Sequence, residues 1–346
     1  MMTMTNFLPW QLSNLDNLKK RVETNTLPHA LLLTGNRGLG KLDFAQQFAH
    51  LLLCESLDIS TVTELESLIS CGQCHSCKLV AAGNHPDLSI VEPEADKEII
   101  GIDRIRQLRE FFLLKSQVSH AQVAIVSPAD KLNNFAANSL LKTLEEPTHN
   151  SYLFLVSHAP YRLLPTIRSR CQIVRFNTPG KEIARNWLLS QNLSLAEGDL
   201  EQLLTLSAGA PLTARKYLQD KTLDKYREFI QDLEKLMKNQ IDPVSLVSNY
   251  LSIDPLLVIN WLSILTYNMV RLKLKAPVVD ISNNYNSLLD PQTIAKIDGS
   301  VLFEYLDKLT ENTRLLESQV NVQLSLEDII IEWTMLQYRK SVPFPS

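Results

Sequence analysis

The chain is expected to fold as a parallel α/β domain, followed by a small helical cluster and then a longer all-helical region. Three observations carry that expectation. Short apolar runs alternate with amphipathic stretches from about residue 28 to 177, Asn177-Thr178-Pro179-Gly180 breaks the alternation, and only helical periodicity follows it. The β-type runs are Ala30–Thr34, Leu88–Glu92, Val123–Ser127, Tyr152–Ser157 and Gln172–Phe176. Continuously apolar strands separated by helices need both faces of their sheet covered, which is the situation of a parallel sheet.

Helices are read between those runs. Leu42–Leu53 puts Phe44, Phe48, Leu51 and Leu52 on one face. Another helix begins at Asp103, taken as its N-cap, and carries Ile105, Leu108, Phe111 and Phe112. Beyond the break, Glu182–Gln191, Asp199–Ser207 and Leu212–Gln219 make a group of three short helices. Helical signals then continue from about Lys221 to Tyr338, punctuated by Asp242-Pro243, Asp254-Pro255, Ala276-Pro277 and Asp290-Pro291. The expected domains are 1–177, with a cysteine-rich module at about 54–77, then 178–221 and 222–346. Pro255–Leu272 is the most membrane-like stretch, but Asn260, Ser263, Thr266, Asn268 and Arg271 interrupt it, so it reads as a buried helix.

Composition narrows the class. A chain of 346 residues exceeds one ordinary core, and 45% apolar with 21% charged residues is the balance of a soluble globular protein. The net charge of −4 gives no overall reason to bind nucleic acid, although a local basic face is compatible with it. Arg104, Arg106 and Arg109 are the best such group. Arg106 and Arg109 share a helix face, fitting either a phosphate backbone or solvent. The first ten residues lack the basic flank and apolar run of a signal peptide. Four of the 5 cysteines fall within Cys54–Cys77, which suggests metal use in a reducing compartment and a cytoplasmic location.

Gly35-Asn36-Arg37-Gly38-Leu39-Gly40-Lys41-Leu42 lies between a predicted strand and a predicted helix. That is the context of a phosphate-binding loop, in which Gly35, Gly38 and Gly40 let backbone N–H groups close around phosphate and Lys41 reaches the terminal phosphates. The next position should supply a hydroxyl for Mg²⁺, and Leu42 has none. After the Val123–Val126 strand an ATPase of this type places acidic residues for Mg²⁺ and water, and here Ser127 and Pro128 stand instead. Asp130 is assigned to capping a helix that starts near Lys131. The helical segment that usually brings an Arg over the γ-phosphate in a Gly-x-x-Arg arrangement reads Gly209-Ala210-Pro211-Leu212, and Arg215, one turn later, is given surface duty. Three separate losses point to a chain that does not hydrolyse ATP; whether the loop still holds nucleotide is left open.

Cys54, Cys71, Cys74 and Cys77 follow a C-x16-C-x2-C-x2-C spacing. Four thiolates suit structural zinc, and a site closed by four protein ligands has no open position for catalysis. An iron–sulfur cluster, or zinc with His75 or His85 replacing one Cys, are the alternatives. Cys171 leads an apolar run and reads as a core residue.

Leu140-Leu141-Lys142-Thr143-Leu144-Glu145-Glu146-Pro147 and Ser169-Arg170-Cys171 are more specific strings, joined by His85-Pro86-Asp87 and Gly101-Ile102-Asp103. On these the N-terminal 220 residues resemble the delta-prime family of bacterial DNA polymerase III clamp-loader subunits, within the AAA+ ATPases. The zinc spacing also fits, apart from a longer loop after Cys54, and the C-terminal helices fit in length and type. The resemblance implies an AAA+ P-loop α/β domain with a zinc-binding insertion, a small helical lid and an all-α collar. It further implies a pentameric ring with one delta and three ATP-binding gamma or tau subunits, which loads the sliding clamp on primed DNA. The chain would then be part of a polymerase holoenzyme without carrying its active site. By the same resemblance Arg170 is an arginine finger acting in trans on a neighbour's ATP, with Arg168 as the fallback, while Glu145 and Glu146 have no catalytic role. Two other readings remain: an autonomous P-loop ATPase, which Leu42, Ser127 and Pro128 disfavour, and a zinc-dependent DNA-binding protein, which the sparse basic content disfavours.

Overall fold

The computed structural model describes residues 7–57, 59, 65, 68–95, 97–191, 196–276, 294–295, 297–316, 321–336 and 338–339. The chain separates into two compact units, residues 1–184 and 185–346. No helix among the described residues is long and apolar enough to cross a membrane.

The first unit is built on a parallel sheet. Its strands are β1 (Ala30–Thr34), β2 (Leu88–Val91), β3 (Gln122–Val126), β4 (Ser151–Ser157) and β5 (Gln172–Arg175), in the order β2-β3-β4-β1-β5. Every adjacent pair is parallel, and the register sets Leu32 beside Leu155 and Ile173, and Ile125 beside Phe154. The runs of Leu, Val and Ile in β1 and β3 are buried throughout, because helices cover both faces. At the edge, β5 has polar residues at both ends of a short apolar pair and is largely exposed.

The helices of this unit are α1 (Leu12–Glu23), α2 (Lys41–Leu53), α3 (His75–Ala81), α4 (Ile102–Leu113), α5 (Asn134–Glu145) and α6 (Pro165–Arg168); α7 (Lys181–Ser190) runs across the boundary. On one side of the sheet, Ile105, Leu108 and Phe112 of α4 and Ala136, Leu140 and Leu144 of α5 pack with Ala124, Val126, Leu153 and Leu155. Burying such side chains is worth roughly 1.5–3 kcal/mol each before entropy is counted. Helix α2 buries Phe44, Phe48, Leu51 and Leu53, whereas Leu52 is only half-buried. The buried face therefore ends one residue later than the periodicity suggested.

Two predicted caps are corrected. Gly101, in extended conformation, is the N-cap of α4, so Asp103 already lies inside the first turn. There it favours the positive end of the helix dipole and pairs with Arg106 at 3.0 Å. Asp130 does not cap a following helix either. It sits in a 3₁₀ turn, Ala129–Lys131, and α5 is capped by Asn133, whose side chain accepts from the Ala136 N–H at 2.8 Å.

Among the described residues the regular elements of the second unit are helices: α8 (Glu197–Leu206), α9 (Pro211–Gln219), α10 (Thr222–Met237), α11 (Pro243–Tyr250), α12 (Pro255–Lys273), α13 (Gly299–Leu316) and α14 (Val322–Met335). Asp242 and Asp254 cap α11 and α12, accepting from Ser245 N at 3.0 Å and Leu256 N at 2.9 Å, with the following proline at the first helical position. Trp261 of α12 is fully buried, 5.4 Å from the rings of both Tyr226 and Phe229. Trp333 packs edge-on to Tyr305, whose hydroxyl donates to the Ile329 carbonyl at 2.9 Å. Leu265 and Leu336 are buried as well, so these residues belong to the core of the unit rather than to its surface. Pro277 and Asp290-Pro291 lie outside the described residues.

Candidate functional site

The loop between β1 and α2 has the backbone of a phosphate cradle. Gly35, Gly38 and Gly40 all have positive φ, at 145°, 75° and 73°, and Gly40 is the N-cap of α2. Gly35 is sterically required: a Cβ there would lie 2.3 Å from the Phe176 carbonyl oxygen, just past β5. Gly35→Ala is expected to cost on the order of 3 kcal/mol, read as a lower urea midpoint.

Lys41 fills this loop from within. Its side chain is buried, and Nζ donates to the carbonyls of Gly35 and Asn36, each at 2.6 Å, and to Nδ1 of His158 at 2.8 Å. An ammonium has three N–H donors, and all three are spent inside the protein. From the other side, Trp10 Nε1 donates to the Leu39 carbonyl at 3.0 Å, and Gln11 Nε2 donates to Leu39 and Gly40 carbonyls at 2.9 Å each. The segment before α1 thus pins the loop at its helix end.

Electrostatics support a self-contained cluster. Burial pulls the Lys41 ammonium down to about 8, partly opposed by the charge of Asp130. Burial, then the charge of Lys41, depress His158 to about 4, so its ring is neutral near pH 7. Because Lys41 can only donate, Nδ1 must accept and the proton resides on Nε2. Asp130 receives hydrogen bonds from Ser157 Oγ at 2.7 Å and from the His158 N–H at 2.9 Å. Burial raises its carboxyl, but these donors outweigh burial and leave it below its usual value. Asp130 is therefore a structural brace for the end of β4. Leu42 supplies no oxygen, and Ser127 is buried at the end of β3 with Pro128 beside it.

A pH dependence follows. The unfolded chain protonates a histidine near 6.5, whereas His158 and the half-buried His50 resist protonation until about 4. The unfolded state therefore binds more protons between these values, and stability present above pH 6.5 is lost as pH falls toward 4. The urea midpoint should decline across that window, with a shallower slope in His158→Gln.

The cysteines converge on one point. Sγ atoms of Cys54, Cys71, Cys74 and Cys77 all lie within 4.8 Å of one another. The separations are 4.0 Å for Cys54–Cys74, 3.9 Å for Cys71–Cys77 and 3.7 Å for Cys54–Cys77. A tetrahedral ion with sulfur at about 2.3 Å sets its ligands roughly 3.8 Å apart, so these four thiols can hold one metal ion. Backbone N–H groups of Cys71, Cys74 and Cys77 donate to the sulfurs of Cys54, Cys71 and Cys74 at 3.5, 3.3 and 3.4 Å, which favours thiolates. His85 is not a ligand. Its Nδ1 accepts from the Asp87 N–H at 3.0 Å, and its Nε2 is 2.8 Å from Ser76 Oγ.

That histidine belongs to a buried network tying the cysteine module to the sheet. Ser76 and Ser119 hydroxyls both donate to the Leu53 carbonyl, at 2.6 and 2.9 Å. The Asp87 carboxylate accepts backbone N–H groups of Gln117, Val118 and Ser119 at 2.7–2.8 Å. Sequence reasoning used His85-Pro86-Asp87 only as a family string and overlooked Ser76 and Ser119, whose partners are 23 and 66 positions away.

Arg170 lies apart from the loop, just after α6, and is exposed. Its guanidinium pairs with the Glu145 carboxylate at 2.7 Å and donates to the Thr166 carbonyl at 3.1 Å. Arg168 is half-buried, with Nε enclosed and lacking a hydrogen-bond partner. Cys171 packs half-buried against the core, and burial lifts its thiol to about 12. In the second unit Arg215 stacks 5.4 Å from the Trp187 ring centroid and reaches Gln191 at 3.5 Å, so it has a packing role. Arg104 and Arg109 are half-buried, and Arg106 is exposed in its pair with Asp103.

Comparison with known proteins adds the relatives. Residues 10–180 match the family described as "DNA polymerase III, delta subunit", and residues 220–335 match "DNA polymerase III, delta subunit, C terminal". The chain is 32% identical to DNA polymerase III subunit delta' of Pseudomonas aeruginosa over 96% of its own length and 99% of that protein's. It is 31% identical to the subunit delta' of Yersinia pestis, covering 95% of each. Among solved structures it is similar to a DNA polymerase III gamma subunit-related protein from Thermotoga maritima, with TM-score 0.47 and 19% identity, over 93% of this chain and 99% of that one.

Proposed function

Because the chain belongs to the delta-prime family of DNA polymerase III subunits, we propose that it is a non-hydrolysing member of a clamp-loader ring that serves a neighbour's ATP rather than its own. The observation that carries this reading is the contrast between Lys41, turned inward onto its own loop, and Arg170, exposed outside it. A lysine whose three N–H groups are all engaged offers nothing to a phosphate unless the loop reopens. An exposed planar guanidinium suits the γ-phosphate oxygens of a site supplied by another chain.

In this reading the partners are gamma or tau subunits and delta in a pentamer, and the ring acts on the sliding clamp and primed DNA. Residues 1–177 form the AAA+ domain, 178–221 a lid and 222–346 a collar. Arg104, Arg106 and Arg109 are candidates for the DNA backbone. The metal is zinc, held by Cys54, Cys71, Cys74 and Cys77, and it would pin the inserted module without chemistry of its own. Sulfurs under 4.8 Å apart favour one ion over a multi-iron cluster, whose irons need separate ligands.

The test is reconstitution. ATP turnover with clamp and primed DNA would be measured for gamma and delta subunits with and without this chain. Turnover that rises only when the chain is added supports the reading. Equal turnover without it, or turnover by the chain alone, contradicts it.

A further inference from the structure

We propose that Glu145 is a positioning residue for Arg170, holding the guanidinium in the orientation it needs to meet a partner's phosphate. The proposal rests on the arginine-finger reading of Arg170 and adds a second residue to it. Glu145 is the last residue of α5, and Arg170 follows α6. The two short-range anchors come from different elements: the Glu145 carboxylate at 2.7 Å on one terminal nitrogen, and the Thr166 carbonyl at 3.1 Å on the other. With the side chain's own covalent tether as a third point, these two anchors fix the plane of the guanidinium, where either alone would leave it free to swing.

The same geometry argues against a blocking role. A guanidinium has five N–H donors, and each anchor engages one of them, so three stay available to an incoming anion. Glu145 and Arg170 side chains remain 48% and 37% exposed, so the pair is approachable from solvent. An exposed ion pair of this kind contributes little to stability. Its effect is to be sought in orientation, where displacement of a reacting group by about 1 Å costs on the order of a hundredfold in rate.

The experiment uses the reconstituted complex, with the other ATP sites disabled so that cleavage reports the site Arg170 faces. Glu145→Ala should lower kcat about tenfold with KM for ATP unchanged, since an oriented contact is lost at the transition state and not in binding. Glu145→Gln, which keeps an acceptor oxygen, should lose less. In an Arg170→Ala background Glu145→Ala should add nothing, because the two residues act as one unit. Unfolding midpoint and assembly should match the parent in every variant. Unchanged or faster cleavage in Glu145→Ala, or a loss that adds to that of Arg170→Ala, overturns the positioning role while leaving the finger intact. If Arg170→Ala alone cleaves at the parental rate, the finger reading fails and this proposal fails with it.

Discussion

On the finger reading proposed above, replacing Arg170 by alanine should slow ATP cleavage at the neighbour's site by about 10³–10⁵-fold, or roughly 4–7 kcal/mol at the transition state. The loss should be confined to chemistry. Arg170 is exposed, and its two contacts, with Glu145 and Thr166, lie at the surface, so the fold has little to lose. In the proposed ring, bulk turnover would understate the effect, because the other ATP sites would not face this chain. Single-turnover cleavage in a complex with one competent site is the measurement that isolates it. Lysine at the same position keeps the charge but not the planar fork, so Arg170→Lys should recover only part of the rate.

The second large effect belongs to the metal ion proposed for the four cysteines. Removing it should cost on the order of ten kcal/mol of local folding free energy, because binding at such a site is coupled to folding of the segment that carries the ligands. The cost should stay local at first. Helix α3 is capped by Cys74 and joined to the end of α2 through Ser76, so amide exchange over His75–Ala81 should accelerate before that of β1 or β3. Cys77→Ser, at a buried position, should reproduce chelation. Elemental analysis should find one zinc per chain. Iron, or no metal, would remove zinc from the account.

What was legible in the sequence follows physical range. The strands were readable to within a residue, because a buried parallel strand is a continuous apolar run and little else in the chain looks like it. The edge strand ends early: Phe176 donates its N–H to the Thr34 carbonyl at 2.8 Å but stands just past β5. The cysteine cluster was readable from spacing alone, since its two x2 turns are local. Caps were less so. Asp103 and Asp130 both look like N-caps by residue type, yet capping is decided by backbone conformation, and Gly101 and Asn133 have it instead. The state of Lys41 was not legible at all. Its direction is set by His158, 117 positions away, and by a loop held through Trp10 and Gln11. The missing hydroxyl at Leu42 announced a defective site; that the lysine itself is consumed needed coordinates.

In the proposed reading the phosphate loop keeps its shape but is occupied by its own lysine. Calorimetric titration of the isolated chain with Mg-ATP at millimolar concentration tests this most directly. No heat of binding is expected from the parent chain, and none from Lys41→Ala. Saturable binding to the parent chain that Lys41→Ala abolishes would contradict the claim, because Lys41 would then be reaching phosphate.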